Sequence, residues 1–220
     1  MTDLTATTVL LDIDGGVARL RLNRPTVSNA LNLPLLETLH AAIMRCHGDP
    51  GVRAVLLSGE GPNFCGGGDV RDFAAKGAHL PDYLREATAY LQAATAGLLH
   101  LAAPVVTIVQ GWATGGGGFG LVCASDLVVA AQSARFMLGA TRVGMAPDAG
   151  LSVTLPRLVG HRRAMEIALT NPVIDAQRAL EIGLVTRVVP DAVLQDEGLA
   201  LAREFAAGPT RALGTTKRLL

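Results

Sequence analysis

Two glycine-rich turns set the narrowest limits on how this chain can fold. Phe64-Cys65-Gly66-Gly67-Gly68-Asp69 and Gly111-Trp112-Ala113-Thr114-Gly115-Gly116-Gly117-Gly118-Phe119-Gly120 each follow an apolar β-branched run and precede a segment of helical character. Glycine lets a backbone N–H approach a ligand with no Cβ in the way, and a helix that begins at the turn adds the positive end of its dipole. A turn of this kind can hold an oxygen that becomes anionic, and two of them can form an oxyanion hole.

The rest of the chain alternates strand and helix signals. Val9 to Ile13 and Val17 to Leu22 flank Asp14-Gly15-Gly16, a hairpin pattern. Asn32 caps a helix with Pro34 in its first turn and Leu35, Leu36, Leu39 and Ile43 on one stripe. Val52 to Leu57, Pro104 to Val109 and Asp126 to Ala131 read as strands. Pro81 to Leu101, a short segment starting within the second glycine turn, Leu151 to Leu158, Ala164 to Leu169, Ala176 to Ile182 and Ala192 to Ala207 read as helices. This alternation predicts one α/β fold with parallel pairing, and 220 residues are enough for a sizeable core.

Several function classes are disfavoured by composition. Basic and acidic residues balance at 19 each and no basic run occurs, so nucleic acid is not expected as a partner. Cys46, Cys65 and Cys123 fit neither a zinc site nor a disulfide framework; buried thiols in a reducing compartment are expected. Ala87 to Ser125 lacks Asp, Glu, Lys and Arg, yet Pro104, Gly111 and the glycine run break it, so it reads as core and no membrane association is expected. Met1-Thr2-Asp3-Leu4-Thr5 has no basic region followed by an apolar stretch, which leaves the cytoplasm as the expected location.

Five motifs occur in a telling order. They are Leu22-Asn23-Arg24-Pro25 with Asn29-Ala30-Leu31, then Phe64-Cys65-x-Gly67-x-Asp69, then Pro104-Val105-Val106 leading into Gly111-Trp112-Ala113 and the glycines, then Leu155-Pro156-Arg157-Leu158-Val159-Gly160, then Ile182-Gly183-Leu184-Val185. Over nearly its whole length the chain resembles the crotonase (enoyl-CoA hydratase/isomerase) family, in its isomerase-like branch. The resemblance implies an α/β crotonase (ClpP-like) spiral of ββα units over residues 1–190, with residues 191–220 beginning a C-terminal helical region. Family members continue past the equivalent of Lys217 with helices that help close the acyl pocket, so the resemblance implies a shortened helical part here, either because this sequence stops short or because the protein lacks part of that wall. It also implies an acyl-CoA thioester as substrate, no cofactor beyond that coenzyme A, and a homotrimer or hexamer.

The same resemblance assigns site residues. The backbone N–H of Gly68 and of a middle glycine in the second turn are the expected oxyanion donors. One residue more than the family's usual number separates Gly111 from Asp126; counting back selects Gly117 and counting forward selects Gly116, and Gly117 is preferred because a loop absorbs an insertion more easily than a packed helix. The loop of Arg24, Thr26, Val27 and Ser28, together with Gly66 and Gly68, is expected to meet the CoA arm. Arg24 has two readings, a phosphate contact or a solvated loop arginine.

Hydration needs two carboxylates, which typical hydratases supply as two glutamates. The first such position falls at Gly120 (Phe119 on the other count) and the second at Ala140, and neither residue can carry a proton. One acid falls where another branch keeps its acid or base: Asp148, in Val143-Gly144-Met145-Ala146-Pro147-Asp148-Ala149-Gly150. That position resembles the carboxylate of enoyl- and dienoyl-CoA isomerases, the acid of dihydroxynaphthoyl-CoA synthases and the nucleophile of 4-chlorobenzoyl-CoA dehalogenases. A single carboxylate suffices to move a proton between two carbons of an enolisable chain. Met145, Ala146, Phe119 and Trp112 are expected to supply the apolar surroundings that raise its pKa. The competing role for Asp148 is a helix N-cap. Asp69 is expected to cap the helix that follows it, and Asp126 to be structural.

The expected activity is therefore movement of a C=C bond in an enoyl-CoA through a held thioester enolate. Hydratase-like or naphthoyl-CoA synthase-like chemistry and a non-catalytic acyl-CoA binder are the alternatives within the resemblance. Outside it, Gly115-x-Gly117-x-x-Gly120 formally matches a dinucleotide fingerprint, and an NAD-dependent oxidoreductase is the outsider.

Overall fold

A computed structural model describes residues 7–220. The N-terminal stretch read for a leader lies outside the described residues. In chain order the elements are β1 (Val9–Asp14), β2 (Val17–Leu22), α1 (Leu33–Gly48), β3 (Ala54–Gly59), α2 (Val70–Ala74), α3 (Leu80–His100), β4 (Val105–Val109), β5 (Trp112–Thr114), α4 (Gly115–Cys123), β6 (Leu127–Ala131), β7 (Arg135–Met137), α5 (Leu151–Val159), α6 (His161–Thr170), β8 (Ile174–Asp175), α7 (Ala176–Glu181), β9 (Arg187–Val189), α8 (Leu194–Ala207) and α9 (Thr210–Leu219). Two sheets result, one of six strands in the order β1-β2-β3-β4-β6-β9 and one of three in the order β5-β7-β8.

The hairpin closes through Gly15 and Gly16, both at positive φ, with Asp14 opposite Val17; two left-handed residues match the twist of the flanking strands. Beyond β1 and β2 the large sheet is parallel throughout. All six residues of β3 and all five of β4 are buried, as expected of strands covered on both faces. One face lies under α1 and α3, whose Leu35, Leu39, Ile43, Leu91 and Leu98 join the main core. The other lies under α8, whose Leu194, Leu201, Ala202 and Ala206 pack on Ala54, Leu56, Val106, Ile108 and Val129. Each buried leucine contributes about 2 kcal/mol, so α8 is integral to the sheet that carries the site.

The Asn32 side chain accepts from Leu35 N–H and caps α1, as its sequence position predicts. The third strand starts at Ala54, two residues later than the apolar run suggests, because Val52 closes a turn onto the Asp49 carbonyl. The segment read as one helix from Ala192 is a short 3₁₀ turn, Asp191–Val193, followed by α8. No helix among the described residues is long and apolar enough to cross a membrane.

Candidate active site

Asn29 anchors the first glycine turn. Fully buried and at φ 53°, it donates from its amide nitrogen to the carbonyls of Glu60, Asn63 and Phe64, and its amide oxygen accepts from Arg24 N–H. Three main-chain bonds also join the turn to its surroundings: Gly66 N–H to Ser28 O at 2.7 Å, Leu31 N–H to Gly67 O at 2.7 Å and Asp69 N–H to Leu31 O at 3.0 Å. Cys65 N–H donates to Trp112 O at 3.0 Å and Thr114 N–H to Cys65 O at 2.9 Å, which joins the first turn to the second. At the crossing, Gly67 (φ +85°) meets Gly115 (φ +67°); a methyl on Gly67 would lie 2.8 Å from the Gly115 Cα, so neither position admits a side chain.

Two sets of donors are left over. Among the described residues no acceptor takes the Gly68 N–H. Helix α4 starts at Gly115 with no side-chain cap from Thr114, so helix geometry leaves the N–H groups of Gly115, Gly116 and Gly117 without intrahelical acceptors. Gly66, Gly68, Gly116 and Gly117 all line one cavity of about 180 Å³.

That cavity is mainly apolar. Leu31, Phe73, Leu91, Met137 and Met145 contribute to its wall, with the side chains of Thr88 and Thr114, and among the described residues Asp148 is the one ionisable side chain on it. The Thr88 hydroxyl bonds the carbonyls of Leu84 and Arg85. The Oδ1 atom of Asp148 is buried and has no hydrogen-bond partner among the described residues. Burial raises the Asp148 carboxyl above its ordinary pKa, with its own backbone N–H opposing weakly. The capping role does not materialise: Gly150, at φ 75°, is the N-cap of α5, and it is the Asp148 carbonyl that accepts from Leu151 N–H at 2.9 Å.

Of the two positions expected to lack hydratase carboxylates, Gly120 is shut as well as empty. A methyl on Gly120 would lie 2.4 Å from the Ala149 Cβ, so the space a longer side chain would need is taken. Ala140 is buried on the cavity wall. Met145 and Ala146 line the cavity as expected, whereas Phe119 and Trp112 do not. Phe119 is turned into the core with no exposed surface, and Trp112 is 39% exposed on β5 with its N–H held by Asn63 Oδ1. Aromatic residues beside a glycine turn suggest a wall, but burial of Phe119 in the main core decides its side.

Of the residues expected to meet CoA, Gly66 and Gly68 line the cavity, and the loop of Arg24, Thr26, Val27 and Ser28 adjoins it through the bond from Gly66 N–H to Ser28 O. Thr26 and Val27 are exposed, and Ser28 accepts from Asn63 Nδ2 at 3.0 Å. Arg24 is part-exposed and bound at one nitrogen: it donates to the Ala30 carbonyl and to Asp69 Oδ2, the latter at 3.1 Å. Asp69 also caps α2 through Asp72 N–H, as its position predicts. Sequence reasoning missed the wall supplied by α3, where Leu84, Ala87, Thr88 and Leu91 follow helical spacing, and by Phe73, whose ring covers Gly68. The helical stripe was visible, but a stripe facing a cavity looks the same as one facing a core. All three cysteines are buried and unpaired, and burial pushes the Cys46 thiol up to about 11 and Cys65 up to about 12.

Residues 12–220 match the family model described as enoyl-CoA hydratase/isomerase. A Rhodobacter capsulatus protein named a probable enoyl-CoA hydratase is 41% identical over 211 residues, covering 96% of this chain and 80% of the relative. The 1,2-epoxyphenylacetyl-CoA isomerase of Escherichia coli is 34% identical over 217 residues, covering 96% and 81%. A solved structure from Pseudomonas aeruginosa aligns with a TM-score of 0.90 at 42% identity, covering 100% of this chain and 92% of that one. With paired glycine turns, a cavity between them and these likenesses along its length, the chain belongs to the enoyl-CoA hydratase/isomerase family and has the crotonase fold.

Proposed function

We propose that this acyl-CoA enzyme moves a carbon–carbon double bond of an enoyl thioester, with Asp148 as the proton carrier. The observation that carries the reading is Asp148 itself, among the described residues the one ionisable group on a mainly apolar cavity wall, its Oδ1 buried without a partner among them next to the free end of α4. The thioester oxygen is held by the N–H groups of Gly68 and Gly117. Removal of a proton from the α- or γ-carbon then places negative charge on that held oxygen, where fixed donors stabilise it without reorganisation. The carboxylate takes the proton from one carbon and, as the neutral acid, returns it to the other, so enzyme and acid are regenerated and no cofactor is consumed.

Two features favour this over hydration. Neither Gly120 nor Ala140 can activate or deliver water, and the Ala149 methyl fills the space beside Gly120. Raised by burial, the Asp148 carboxyl is better matched to exchanging protons near neutrality than an ordinary aspartate. Asp148→Asn is expected to bind acyl-CoA with affinity close to the parent while exchange of α- and γ-protons with deuterated water falls by about 10²- to 10⁴-fold. Exchange that survives the substitution sinks the role of Asp148; absence of exchange in the parent, with binding intact, indicates a binder instead. Accumulation of 3-hydroxy product from crotonyl-CoA would restore the hydratase reading.

A further inference from the structure

No polar group among the described residues bonds the Asp148 Oδ1 atom, so its position has another origin. Gly116 and Gly120 are four residues apart on α4 and therefore lie on one side of the helix. A methyl on Gly116 would fall 1.9 Å from Asp148 Oδ1, and a methyl on Gly120 would fall 2.4 Å from the Ala149 Cβ. Two successive residues of the 144–150 loop thus sit against two bare positions of the same helix face. Gly117 and Gly118 turn elsewhere, toward Leu31 and Cys65, and take no part in this seat.

The loop is held there under strain. Ala149 is fully buried at φ +52°, a left-handed conformation that a residue with a Cβ adopts only when its surroundings fix it. Its methyl supplies that fixing by resting on Gly120, and the reversal it imposes continues through Gly150 at φ +75° into α5. A larger residue at position 120 would lift the methyl off the helix, and the carboxylate one residue earlier would move with it.

We propose that Gly120 and Ala149 are a pair of positioning residues, in which the alanine methyl seated on the bare helix sets where the Asp148 carboxylate stands over Gly116 and the free N-terminus of α4. Neither residue has a group for chemistry; they act through Asp148. The proposal rests on the reading of Asp148 as proton carrier only for its kinetic consequence. Its structural content is independent of any substrate.

The test uses Gly120→Ala, Ala149→Gly and the double variant, each checked for folding by circular dichroism. Asp148 is followed in two ways, by ¹³C NMR titration of its carboxyl and by proton exchange into an enoyl-CoA that the parent turns over. In Gly120→Ala the displaced methyl should shift the Asp148 titration toward that of an exposed aspartate. It should also lower kcat about 10- to 100-fold, the usual effect of moving a catalytic group by about 1 Å, with KM changed less than about twofold. Ala149→Gly added to it removes the clash and should recover at least about tenfold of that kcat and move the titration back. Ala149→Gly alone adds no atoms and suits the positive φ, so it keeps the question open should Gly120→Ala not fold; loss of the seat should lower kcat and shift the titration in the same direction. A Gly120→Ala that matches the parent in both readouts, or a folded double variant no better than Gly120→Ala, or an Ala149→Gly indistinguishable from the parent, overturns the pairing. If Asp148→Asn keeps proton exchange yet the titration shift and its rescue are seen, the pairing stands and the proton-carrier reading alone falls.

Discussion

Asp148 spends folding energy to be where it is, and that cost can be measured. Burial raises its carboxyl pKa in the folded chain above the unfolded value, so the folded state binds this proton more tightly. The carboxyl's penalty is therefore absent at pH below the ordinary carboxylate range, grows as pH rises through the unfolded value, and is complete above the folded one. Asp148→Asn should accordingly stabilise the protein by on the order of 1 kcal/mol at neutral pH, the size of one unsatisfied buried polar group. Denaturant unfolding at a series of pH values should show the gain fading toward the acidic end; a gain that does not depend on pH would assign the effect to something other than this carboxyl. The sequence marked this residue but left two roles for it, since Pro147-Asp148-Ala149-Gly150 is also a helix start signal. What separates them is the left-handed backbone at Ala149 and Gly150, which gives the cap to glycine and turns the carboxylate to the cavity, and no local pattern reports it. The buried anchor Asn29 was visible as part of a motif, while its three amide donations depend on carbonyls more than thirty residues away.

At the scale of elements, periodicity was enough wherever an element carries its own signal. The Gly15-Gly16 hairpin, the capped α1 and the short helix from the second glycine turn all stand where the residues point. The small sheet was not legible, because β5, β7 and β8 have three, three and two residues and depend on pairing with distant parts of the chain. Close contact between elements was equally hidden. Gly198, in the middle of α8, is such a case: a methyl there would lie 2.2 Å from Ile108 Cγ2 on β4. Gly198→Ala should gain helix propensity yet lose stability by about 1–3 kcal/mol, because the helix must lift from the sheet to admit the extra carbon. Thermal unfolding decides the sign, and a stabilised variant would mean that α8 is seated more loosely than described.

Across the whole molecule, α9 is tied to the sheet by a few long-range contacts. Lys217 Nζ reaches Asp126 Oδ2 at 2.6 Å and the Leu98 carbonyl at 2.7 Å, Arg53 bonds the Gly208 carbonyl at 2.6 Å, and Gly214 lies against the Ala102 carbonyl. Asp126 also accepts from Val105 N–H at 2.7 Å, so the last helix is coupled to the first residue of a central strand. Burial lowers the Lys217 pKa and raises that of Asp126, both against the pull of the partner charge, as for a pair partly withdrawn from water. Lys217→Met should leave a half-buried carboxylate with less compensation, costing roughly 2 kcal/mol, with amide protection lost first in α9 by hydrogen exchange. Uniform loss of protection instead would show that α9 does not open as a separate unit. The joint between the glycine turns is of another kind, since it runs from Cys65 to Trp112 and Thr114 through peptide groups and from Gly67 to Gly115 through bare carbons. No rotamer can loosen such a join and no substitution of an outward group can retune it. A lineage that inherits it can exchange the apolar residues of α3 and of the loop before Asp148, and so reshape the cavity, while the join between the turns stays as it was.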